Sequence, residues 1–133
     1  YNMNIIEEIK LNRGIKKLRK ARRRAREKTA EKRKLLYALN SKLSTKTAEL
    51  DDINGYIDEC NANISTLKER AFMSSANINS EVCASMLLDE CFAKLYDLQC
   101  KKGKLVHEIE EVKAQIKELQ DSLNEELDEA LSK

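Results

Sequence analysis

A seven-residue recurrence of apolar side chains constrains this chain more than any other feature. With Leu36 as position a of a heptad, the a series reads Ile15, Arg22, Thr29, Leu36, Leu43, Leu50, Ile57, Ile64, Ala71. The d series reads Leu18, Ala25, Lys32, Leu39, Lys46, Ile53, Cys60, Leu67. From Leu36 to Ala71 the repeat is almost unbroken. A sustained period of about 3.5 residues describes a helix with one apolar seam, and another helix must cover that seam.

The chain supplies the second helix itself. After residue 80 a new series sets Leu88, Leu95, Lys102, Ile109, Ile116, Leu123 and Ala130 at a, with Cys91, Leu98, Leu105, Val112, Leu119 and Glu126 at d. Between the two lies SSANINS, residues 74–80, whose small and amide side chains favour a turn. Ser80 followed by Glu81 makes a credible helix start. The prediction is all-α: a first helix over about 4–72, a turn over about 73–80 and a second helix over about 81–131, forming a single coiled-coil hairpin over 1–133.

A connector this short makes the helices antiparallel, so a layers of one face d layers of the other. Pairing residues whose numbers sum to 155 matches every layer: Leu67 with Leu88, Ile57 with Leu98, Leu50 with Leu105, Leu43 with Val112, Leu36 with Leu119. The midpoint falls between Asn77 and Ile78, inside the turn chosen independently. In this register Lys133 reaches only to about Arg22, so roughly twenty residues of the first helix overhang, about 30 Å at 1.5 Å per residue. Arg22, Thr29 and Lys32 interrupt the seam at that end and Glu126 falls opposite Thr29, which predicts loose packing there.

Composition agrees. Charged residues make up 36% and aromatics 5%, with no Trp, no Pro and three Gly, which suits long helices rather than a compact core with frequent turns. The net charge of +2 hides an asymmetry. From Lys10 to Lys34 there are 14 basic residues against Glu27 and Glu31, a local charge of +12, while the remainder carries 11 basic against 21 acidic residues, or −10. The acidic EELDE at 125–129 is expected to neutralise the distal part of the basic run, around Arg26 to Arg33, leaving Lys10 to Arg24 unmatched.

Several function classes fall away. Cys60, Cys83, Cys91 and Cys100 contain no C-x-x-C pair, and with one histidine there is no zinc set; they read as reduced, partly buried cysteines, and neither metal nor cofactor is implied. No signal peptide opens the chain and apolar runs such as Met86-Leu87-Leu88 are too short to span a bilayer, so a cytoplasmic protein without direct membrane insertion is expected. Met3 reads as a native start, with Tyr1-Asn2 an appended remnant. There is no Gly-rich phosphate loop, no nucleophile with a histidine at a defensible spacing and no sheltered carboxylate pair, so no enzymatic activity is expected. Gly55 and Gly103, at nearly one level, raise the question of a bend. His107 falls at an outward position, and Phe72, Met73 and Ile78 cluster at the turn.

Two binding classes compete with each other. A basic segment leading into leucines at seven-residue intervals imitates a basic leucine zipper, a nucleic-acid reader. The base-reading Asn-x-x-Ala-Ala-x-x-Ser/Cys-Arg pattern is missing, however, and the second helix would occupy the seam that a zipper partner needs, so no specific nucleic acid is expected. A basic coiled-coil nucleic-acid-binding protein and a generic coiled-coil adaptor remain the alternatives to a stalk.

The layout resembles the central-stalk proteins of bacterial type III secretion ATPases, a family related to the flagellar export stalk and the γ subunit of rotary ATPases. The resemblance rests on the start MNIIEEIKLNRG, the basic KKLRKARRRAREK at 16–28, LDDINGY at 50–56 before a short turn, and an acidic second helix. It implies a monomeric hairpin at the cytoplasmic face of the inner membrane, its terminal end in the pore of a hexameric secretion ATPase and its tip toward the export gate. Secretion chaperones are further partners implied. Lys16, Arg19, Lys20, Arg23 and Arg24 would meet acidic side chains of the ring, and Phe72, Met73, Ala76 and Ile78 would contact the gate.

Overall fold

The computed structural model describes residues 4–73 and 78–132; for 71–73 and 78–81 it describes the backbone alone. Two helices account for these residues: α1, Ile5–Met73, of 69 residues, and α2, Ile78–Ser132, of 55 residues. They pack against each other and no strand occurs among the described residues, so the fold is an all-α helical hairpin.

Local chemistry explains the start of α1. The Asn4 side-chain oxygen accepts a hydrogen bond from the Ile6 N–H at 3.2 Å, and Glu7 and Glu8 sit in the first turn, where the helix dipole favours negative charge. Threonines, usually poor helix formers, turn their hydroxyls back onto the carbonyls four residues earlier at Thr45, Thr47 and Thr66. The start of α2 differs from expectation: the helix begins at Ile78, ahead of the Ser80-Glu81 signal. Ala84, buried on the d series one heptad before Cys91, extends the seam upstream of the counted layers.

The chain divides into two compact units, each containing a piece of both helices. Ser41–Gln115 holds the buried residues Ile64, Ala84, Leu105, Ile109 and Val112. Half-buried Leu43, Leu50, Ile53, Ile57, Cys60, Leu67, Leu88, Leu95 and Leu98 line the same seam. Lys46, at a d position, is also half-buried and forms an ion pair with Glu108. The second unit comprises Tyr1–Asn40 and Ile116–Lys133; it buries Ile116 and half-buries Leu36, Leu39, Leu119 and Leu123. No described side chain falls below 2% exposure, as expected where each seam residue has one neighbouring helix to shield it. The α-helix runs uninterrupted through Gly55 and Gly103, neither of which has a positive φ.

Candidate functional site: the basic end of α1

Every residue from Asn4 to Lys28 is exposed. Lys16, Arg19, Lys20, Arg23 and Arg24 stand at i, i+3, i+4, i+7 and i+8, a spacing that gathers them on one helix face. Among the described residues none of them has an ion-pair partner; the ion pairs there involve Lys32, Lys46, Lys101, His107 and Lys113. The five form a continuous cationic stripe open to solvent.

The seam face of the same segment is organised differently. Thr29, Lys32, Ser122 and Glu126 make one polar layer between the helices. The Thr29 hydroxyl lies 3.0 Å from Glu126 Oε2 and 3.0 Å from the Ala25 carbonyl, donating to one at a time. Lys32 Nζ donates to Ser122 Oγ at 2.8 Å and forms an ion pair with Glu126. The Lys32 ammonium and the Thr29 hydroxyl hold the Glu126 carboxyl below the usual glutamate range. The sequence placed Glu126 opposite Thr29 and expected a loose end; the structure joins four side chains there. The expected pairing of the acidic segment with Arg26 to Arg33 is made at Lys32, which meets Glu126; among the described residues Arg26, Lys28 and Arg33 form no ion pair.

Thr29 and Glu126 of the polar layer also line a shallow groove that extends along α1 to Arg22 and Leu18 and along α2 to Glu129 and Ala130. Further along α1, Leu11 and Leu18 are each 54% exposed and Ile15 is 41% exposed. Leu11 lies seven residues before Leu18 and extends the d series, so the apolar seam continues past the residues that α2 covers. Sequence reasoning concentrated on the basic side chains and passed over this stripe, although the heptad count already contained Ile15 and Leu18.

The tip residues stand apart. Ala76 lies outside the described residues, as do the side chains of Phe72, Met73 and Ile78. Elsewhere, Cys60 and Cys91 are half-buried in one groove with Tyr56, Lys94 and Leu98, whereas Cys83 and Cys100 are exposed rather than partly buried. His107 is exposed beside Glu111 at 3.0 Å. Among the described residues no cluster of three or more His, Cys, Asp or Glu could hold a metal ion, and no helix is long and apolar enough to cross a membrane. No protein-family model, curated protein or solved structure matches the chain.

Proposed function

We propose that the chain is a non-enzymatic stalk protein of a type III secretion system, which binds and stimulates the hexameric secretion ATPase through its basic terminal end. The observation that carries the reading is the open cationic stripe Lys16, Arg19, Lys20, Arg23 and Arg24 on the exposed first part of α1. The layout resemblance supplies the ring as partner, and the turn end, with Phe72, Met73, Ala76 and Ile78, would meet the export gate. A helix bearing charge on one face cannot contact six ring subunits alike. Binding energy that differs between subunits biases their nucleotide states, and long-range attraction between opposite charges speeds docking.

The test is ATP turnover by the cognate hexamer as the chain is added. Turnover should rise to a plateau, and Arg19→Glu/Arg23→Glu/Arg24→Glu should lower the stimulation more than substitutions at the turn do. No stimulation at saturating chain, with a competent hexamer, sinks the stalk reading. The same stripe favours one second reading, contact with nucleic-acid phosphates; it predicts duplex affinity that falls steeply with salt and is lost in the triple variant.

A further inference from the structure

The terminal end has a second surface beside the cationic stripe, and it narrows what docks there; the inference rests on the reading above for which end docks. We infer that Leu11, Ile15 and Leu18 receive an acidic amphipathic helix of the partner, laid along α1 in continuation of the seam occupied by α2.

Continuity with an existing interface is the first support. From Thr29 onward the α1 seam lies under α2, and its next positions, Ala25 and Arg22, share a groove with Glu129 and Ala130. The following positions, Leu18, Ile15 and Leu11, keep the same heptad phase, and no described residue covers them. A helix entering here meets a surface shaped for a helix.

Charge is the second support. Where α2 lies on this face it presents carboxylate: Glu126 meets Thr29 and Lys32, and Glu129 lines the groove with Arg22 and Arg26. The uncovered stretch is bordered by Arg19 on one flank, whereas the other carries Gly14 and Ala21. A Cβ placed on Gly14 would meet nothing within 4 Å, so a helix can lie close on that flank while its carboxylates reach the arginines. The α1 end of a second copy brings the same +12 segment and is repelled.

The probe is a labelled three-heptad peptide with Leu at every a and d position and Glu at every e and g position, with a twin carrying Lys in place of Glu. Fluorescence anisotropy with the whole chain should show saturable binding of the acidic peptide and none of its twin. Leu11→Gln/Leu18→Gln should weaken binding about tenfold or more, with the remainder steeply salt-dependent. Ile15→Gln alone should shift affinity the same way, and both variants alter exposed positions, so helicity should match the parent chain. Equal affinity of the leucine variant, equal binding of the basic twin, or a concentration-dependent doubling of mass that this variant abolishes would each overturn the inference. ATP turnover separates the two proposals. A hexamer left unstimulated by a chain that binds the peptide removes the stalk and keeps the docking surface. Stimulation equal in parent and leucine variant, with no peptide binding, does the reverse.

Discussion

Truncating Leu105 to Ala should destabilise the Ser41–Gln115 unit by about 2.4 kcal/mol, from three carbons at about 0.8 kcal/mol each. Leu105 is 6% exposed, so nearly all of its side chain leaves water on folding. A large cavity term is not expected, because a seam between two helices is open along its sides and can close by small shifts; the value therefore sits at the low end of the roughly 2–5 kcal/mol range for buried leucines. Leu35, beside the seam and 53% exposed, supplies the control. Its truncation should cost under about 1 kcal/mol, since about half the side chain is wet in the native state and Ala is the better helix former. Urea unfolding of the whole chain followed by far-UV circular dichroism measures both, with hydrogen exchange assigning the loss to Ser41–Gln115. Equal costs at Leu105 and Leu35, or less than about 1 kcal/mol at Leu105, would refute the reasoning. A double-mutant cycle then tests the layer. Leu50→Ala with Leu105→Ala should show coupling of at least about 0.5 kcal/mol, and Ile57→Ala, one heptad away, should be additive.

Acid should weaken the polar layer in a defined window. The folded Glu126 carboxyl sits below its ordinary value, so its contribution is present above about pH 4.3 and fades as pH falls through the lowered value; Glu126→Gln should flatten the acid limb of melting temperature against pH. Glu108 is lowered by its hydrogen bond to Lys46, and Lys46 is raised by its hydrogen bond to Glu108; Glu108→Gln should therefore flatten the acid limb and also an alkaline limb, where stability is lost as pH rises through the raised lysine value. Gly55→Ala and Gly103→Ala should each raise stability by about 1 kcal/mol in urea titrations, because both sit inside helices with open space where the methyl would go. Thiol labelling of the native chain should modify Cys83 and Cys100 faster than Cys60 and Cys91, with denaturant removing the difference.

The fold was legible because one period runs through most of the chain. Every half-buried or buried described residue of α1 lies on the counted a or d series except Asn54, and every one of α2 except Ser122 and Ala84, the last of which simply continues the d series upstream. The start of α2 was placed three residues late because a capping signal such as Ser80-Glu81 is local, is worth about 1 kcal/mol and does not by itself fix where a helix begins. The cationic stripe was legible in composition. The linkage of Lys32 to both Ser122 and Glu126 was not, since a flexible lysine at a seam position has several carboxylates within reach and the heptad does not choose among them.

The layer of Thr29, Lys32, Ser122 and Glu126 also opposes sliding between the helices. Moving α2 one heptad toward the connector would set Glu126 against Leu36, stripping a carboxylate of its partners beside an apolar side chain. Moving it the opposite way would set Glu126 against Arg22, a cation in place of a threonine hydroxyl. That slide also leaves Lys32 against the apolar Ile116 and brings Lys46 to Lys102, so the layer behaves as a detent that resists displacement in both senses.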